Sequence, residues 1–275
     1  MKRRAVTSTA KSAILGTHPT VPHNMAQFLA ASDGETETQV PHRTLSEIAG
    51  ARPNAVAYMR NALVQHHASP DAIRRTEAVR AAVARLGLGT AQERLRRFPT
   101  NSSTQKGNLA EVVLAEYVVA ASGLTLPVYR LRYNPNVDQS MKGDDVLAFD
   151  LDSNPVRIVV GEAKFRGTPS AAAVTEIVEG LLRSQKGGLP ASLLFVADRL
   201  FDMDQEDIGQ RVLNCVELLA RDSLRLDYVG LLLSNSSSAA QVDKSTPSVT
   251  VRLGMISLGV DDPEGLVTSC YQGLE

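Results

Sequence analysis

Tryptophan is absent from the 275 residues, aromatic side chains make up only 4%, and there are just two cysteines, Cys215 and Cys270. Two cysteines without metal-ligand spacing exclude a disulfide framework and a cysteine-based zinc site, and they fit free thiols in a reducing compartment. No apolar run approaches the roughly 18–20 residues that span a bilayer. The basic start, MKRRAVTSTAKSAILG, leads into no sustained apolar segment, so no signal peptide is expected and the chain is placed in the cytoplasm, off the membrane. Neither a Gly-x-Ser-x-Gly elbow nor a P-loop occurs, which argues against a serine-hydrolase elbow or an ATP-driven motor in this chain. His18, His23, His66 and His67 lack companions at metal spacing, and DMDQED (202–207) lacks the glycine and later glutamate of a calcium loop.

What is present is an ordinary globular composition, 43% hydrophobic and 21% charged, with a net charge of −1. That balance hides an asymmetry. Basic residues outnumber acidic ones about two to one over residues 1–110, and acidic residues dominate thereafter. A basic part can meet phosphates and an acidic part can hold a metal; the alternative is that the two halves attract each other.

The chain divides on pattern into an N-terminal region, 1–99, and a second domain, 100–275. Residues 1–43, rich in Thr, Ser, Pro and His, read as loosely structured chain. TLSE (44–47) has the form of a capping box opening a helix, with Pro53 interrupting or restarting it. Ser69-Pro70-Asp71 opens a second helix and AQERLRRF (91–98) a third. The order then changes. An apolar helix is expected over 107–121, closed by Ser122-Gly123. VYRLRYN (128–134), DDVLAFDLD (144–152) and RIVVGEAKF (157–165) read as strands, the last two joined by a Ser-Asn-Pro hairpin. A helix over 169–186 and a buried strand SLLFVADR (192–199) follow. Another helix (210–224) and two strands around DYVGLLLS and SVTVRLGMISLG complete the chain.

Charges stand at odd places in the central hairpin. Successive strand residues face opposite ways, so Asp145 shares a face with Leu147 and Phe149, and Glu162 and Lys164 share one with Ile158 and Val160. With the hairpin in register, Asp145 and Glu162 project to one spot, and Lys164 lies one pleat beyond. By the same parity the adjacent Asp144 faces away. Carboxylates are costly to hold at the end of an apolar strand, and a divalent cation with a preference for oxygen, Mg²⁺ or Mn²⁺, removes that cost for both. The lysine ammonium beside it can position a water and stabilise its deprotonated form. Gly143 suits a close approach by a nucleic-acid backbone or a metal-bound water. Lys142 and Lys186 flank the place and are candidate phosphate contacts. The plainer alternative is a hairpin salt bridge between Asp145 and Lys164.

The αβββαβ order with Gly-x-Asp on the second strand and Glu-x-Lys on the third resembles the PD-(D/E)xK, restriction-endonuclease-like nucleases. That resemblance implies an α/β fold with a mixed sheet flanked by helices. It also implies a metal-dependent deoxyribonuclease, with Asp145 and Glu162 as metal ligands and Lys164 as the third catalytic residue. Members of this superfamily often add a glutamate from the preceding helix, which here is Glu111. KGNLAEVVLAEYV, KGDDVLAFD and VVGEAKFRG together resemble, more narrowly, the HamA nuclease subunits of the Hachiman anti-phage defence system. This narrower likeness implies DNA as substrate and a HamB-like superfamily 2 helicase as controlling partner. Glu116, five residues beyond Glu111, reads as solvated.

Overall fold

The structure is a computed structural model that describes residues 13–88, 91 and 95–274. Leu29–Glu35 (β1) and Pro41–Glu47 (β2) form a hairpin, followed by helices Arg52–His67 (α1), Pro70–Arg85 (α2) and Ser102–Ser122 (α3). Val146–Asp150 (β3) and Arg157–Phe165 (β4) come next, then Ala171–Lys186 (α4), Leu193–Asp202 (α5) and Glu206–Ala220 (α6). Arg225–Ser234 (β5), Ser238–Ser245 (α7), Leu253–Gly259 (β6) and Pro263–Tyr271 (α8) end the chain. The six strands make one mixed sheet in the order β1-β2-β6-β5-β4-β3, with β2, β6, β5 and β4 parallel and the outermost pairs antiparallel.

Strand alternation divides the interior into two layers. Val146, Ala148, Val159 and Ala163 turn to one side and pack with α1, α3 and α8. Leu147, Phe149, Ile158 and Val160 turn to the other and pack with α4 to α7. This α/β arrangement, a mixed sheet with helices on both faces, is the fold class the sequence led us to expect.

Several elements differ from expectation. Residues 29–47 are two strands where composition suggested loose chain and a capping box suggested a helix start; α1 begins only at Arg52. Pairing with β6 supplies the hydrogen bonds that local propensity did not foresee. α3 starts earlier than expected because the Asn101 side chain accepts the N–H groups of Ser103 and Thr104, and it ends as expected with Gly123 in the left-handed region at φ 64°. VYRLRYN is not a strand but holds a 3₁₀ turn, Arg130–Tyr133. SLLFVADR is helical: buried Leu193, Val196, Ala197 and Leu200 repeat at helical spacing, a pattern a short apolar run conceals. α7 lies within an expected loop, and α8, capped by Asp262, went unforeseen. Residues 92–94 of the third expected helix, and the start of the chain to residue 12, lie outside the described residues. No helix of the described residues is long and apolar enough to cross a membrane.

A buried polar hub pins the sheet at the starting ends of β4 and β5. Asp227, fully buried, accepts hydrogen bonds from the Nε atoms of Arg157 (2.8 Å), Arg225 (2.9 Å) and Arg252 (2.6 Å). Arg157 and Arg225 also donate to the carbonyl of Ala13, which fastens the incoming chain there. The functional candidates lie at the other end of β4.

Candidate active site

A cleft of about 880 Å³ opens where β3 and β4 meet the first turns of α3. Asp145, Glu162, Lys164 and Glu111 all line it. β3 begins at Val146, paired with Gly161, so Asp145 stands just before the strand, at the end of the hairpin where Glu162 follows Gly161. The Ala163 N–H donates to Asp145 Oδ2 at 2.9 Å, which ties that carboxylate to β4. Lys164 Nζ donates to Glu162 Oε1 at 2.5 Å, so the pair within Glu-x-Lys is a direct contact. Glu111 arrives from α3, on the opposite layer, and its carboxylate faces the same space.

Room for Glu162 comes from a missing side chain. A methyl on Gly180 of α4 would stand 2.8 Å from the Glu162 carboxyl carbon. A second glycine, Gly143, lines the cleft in the loop before β3. Its φ of 118° is glycine territory, and a Cβ there would meet Ser192 Oγ at 2.6 Å. Asp144 also lines the cleft, but its polar groups are engaged by Ser192: its N–H donates to Ser192 Oγ and its Oδ2 accepts the Ser192 N–H, both at 2.9 Å. That exchange clamps the start of α5 to the loop before β3.

Burial dominates the electrostatics. It pushes the Glu111 carboxyl up to about 8, with Asp145 and Glu162 adding to the rise and Arg130 and Lys164 opposing it. Burial also raises Asp145, against the Ala163 N–H, Arg130 and Lys164, and it raises Glu162, with Asp145 adding. Three carboxyls that each resist ionisation share a space that an added cation would relieve.

Arg130 was not anticipated. Nine-tenths buried, it lies with Nε 3.4 Å from Glu111 Oε1 and Nη1 3.7 Å from Asp145 Oδ1. Among the described residues no group of three or more His, Cys, Asp or Glu is placed to hold a metal ion. The donor set nonetheless suits a hard divalent cation, since every facing side-chain acid is an oxygen ligand.

Lys142 lines the cleft as expected; Lys186 is not among its lining residues. Its place is taken by Arg183, which with Gly180 and Ser184 presents one helical face of α4, Gly187 following at the C-cap. Lys106 and Arg166 complete a basic rim, each paired with an acid, Glu264 at 2.6 Å and Glu176 at 2.5 Å. Glu116 is not solvated. Burial raises its carboxyl, but hydrogen bonds from His66 (2.9 Å) and Tyr58 (2.7 Å) outweigh that and hold it below the ordinary value. His67 donates to the Leu63 carbonyl at 2.9 Å and meets Asn108 at 3.1 Å, an ordinary packed histidine.

The family model for HamA matches residues 27–274, nearly the whole described chain. The chain belongs to the HamA family. A Hachiman protein HamA from Bacillus cereus is 33% identical over 267 residues, covering 97% of this chain and 96% of that protein. HamA is a component of the Hachiman anti-phage defence system, so this is a defence protein, as the resemblance implied. In this HamA-family chain the match takes in the cleft and also β1 and β2, which lie outside the stretch that carried the sequence resemblance.

Proposed function

We propose that this HamA-family protein is a metal-dependent deoxyribonuclease that acts as the effector of anti-phage defence under the control of a helicase partner. The observation that carries the reading is the meeting of Asp145, Glu162 and Lys164, with Glu111, in one cleft with a basic rim.

Asp145 and Glu162, joined by Glu111, would hold Mg²⁺ or Mn²⁺. A bound divalent cation supplies acidification of a coordinated water and counter-charge for the phosphodiester. The chain's own residues do the rest. Asp145 is oriented by the Ala163 N–H. Glu162 holds the Lys164 ammonium within reach of the cleft, where it positions the attacking water and offsets charge growing on the phosphate. Lys142 and Arg183 give the DNA backbone cationic contacts at the rim. No nucleotide-binding motif lies in this chain, so ATP-driven steps belong to a partner of the HamB type, for which the Hachiman name of the relative is the support.

Plasmid degradation with Mg²⁺ tests the reading. Wild type is expected to cleave, and the double variant Glu162→Ala/Lys164→Ala to lose cleavage while remaining folded. Equal activity in the two would remove the site assignment. A wild type that binds DNA and partner but takes up no Mn²⁺ would mark the fold as a silent assembly module.

A further inference from the structure

We infer that Arg130 is a positioning residue for the carboxylate site: it fastens the loop that presents Asp145 and faces that acid and Glu111 with a fixed positive charge. The inference rests on the metal-site reading above.

Two kinds of contact separate on distance. Nη1 of Arg130 donates to the Asp144 carbonyl and Nη2 to the Met141 carbonyl at 2.6 Å, with the Lys142 carbonyl farther off at 3.5 Å. The approaches to Glu111 and Asp145, at 3.4 and 3.7 Å, are longer than good hydrogen bonds and act through charge. The guanidinium is therefore held by main-chain oxygens and only faced by the acids. It cannot swing to solvent without stranding the two carbonyls it holds, a costly outcome for buried polar groups.

The loop needs that hold. Residues 141–144 belong to no helix or strand, and immediately after them Asp145 must stand beside Glu162. Ser192 grips the loop through the Asp144 N–H and carboxylate, while Arg130 grips it through carbonyls. The two grips come from different elements, α5 and the 3₁₀ turn Arg130–Tyr133. A planar fork is what two carbonyls in different directions demand, and lysine, a single point charge on a flexible stem, does not reproduce it.

Arg130→Lys separates position from charge, because it keeps the charge and loses the fork. The probe is Mn²⁺ alone, titrated by calorimetry into wild type, Asp145→Ala, Arg130→Lys, Arg130→Met and Val212→Ala. Val212 is a buried α6 residue that does not line the cleft, and it serves as a variant weakened only in stability. Arg130→Lys is expected to bind Mn²⁺ about tenfold or more weakly than wild type, the usual range for a group that orients a ligand from behind. Arg130→Met should match it, and Val212→Ala should stay near wild type. Amide hydrogen exchange of residues 142–145 is expected to quicken in Arg130→Lys in the absence of metal. Wild-type affinity in Arg130→Lys would overturn the inference alone, as would an equal loss in Val212→Ala. If wild type takes up no Mn²⁺ through Asp145, the metal reading fails and the inference falls with it.

Discussion

Glu162 occupies space that the absent side chain of Gly180 leaves open: a methyl there would sit 2.8 Å from its carboxyl carbon and 3.0 Å from Oε1. Gly180 lies within α4, where glycine is a poor helix former. Gly180→Ala should therefore do two opposite things. The helix gains about 0.5–1 kcal/mol, while the end of the Glu162 side chain swings aside. Displacing a reacting group by about an ångström costs on the order of 10²-fold in rate. The expected variant melts at or above the wild-type temperature yet cleaves DNA far more slowly; thermal melts and initial rates on one preparation check both. Unchanged cleavage would mean that Glu162 is not held where the reaction needs it.

Asp144 and Ser192 exchange two hydrogen bonds, so their mutations should not add. Asp144→Ala and Ser192→Ala are each expected to cost about 1–3 kcal/mol, since each leaves a buried partner unsatisfied. The double variant should lose clearly less than the two together, with a coupling of about 0.5–3 kcal/mol by urea denaturation. Additive losses would show that the clamp does not form. Mn²⁺ uptake should survive in Asp144→Asn better than in Asp145→Asn, which separates the adjacent acids by role.

The Glu111 carboxyl titrates near 8 when folded against 4.5 for an ordinary glutamate. The folded protein thus binds this proton more readily than the unfolded chain does. Its contribution to stability is full below about pH 4.5, is lost as the pH rises toward about 8, and beyond that leaves a buried charge as a constant cost. In EDTA, Glu111→Gln should match wild type near pH 5 and exceed it by roughly 1–3 kcal/mol near pH 8.5. Denaturation at those two values measures the difference, and a gap independent of pH would refute the assignment of the proton to Glu111.

Much of the site was legible because strand parity is strict. Choosing Asp145, Glu162 and Lys164 needed only the alternation of two short runs and a hairpin between them, and the three line one cleft. Arg130 was hidden by the same rule misapplied. In VYRLRYN it reads as one of two alternating basic residues on a strand, whereas the segment turns as a 3₁₀ helix and sends it inward. Lys186 was expected to flank the site but does not line the cleft. Helical spacing from Gly180 gives Arg183, Ser184 and Gly187 instead, and those residues line the cleft. The strands β1 and β2 were illegible for another reason. Among the described residues β1 pairs only with β2, and β2 is carried into the sheet by β6, more than two hundred residues away, which nothing local announces.

That distant pairing has a bearing on how the protein stays dispersed. β1 closes the sheet at the edge away from β3, and it is exposed at six of its seven positions, with Asp33 and Glu35 among them. Exposed polar and acidic side chains on an outer strand discourage another chain from adding to it. A protein cut back past Glu35 would present β2 as the rim instead, with His42, Arg43 and Leu45 buried in the intact fold and now without cover. Such a truncation is expected to precipitate or self-associate even though every residue of the cleft remains, so the opening hairpin guards solubility from the side of the sheet opposite the chemistry.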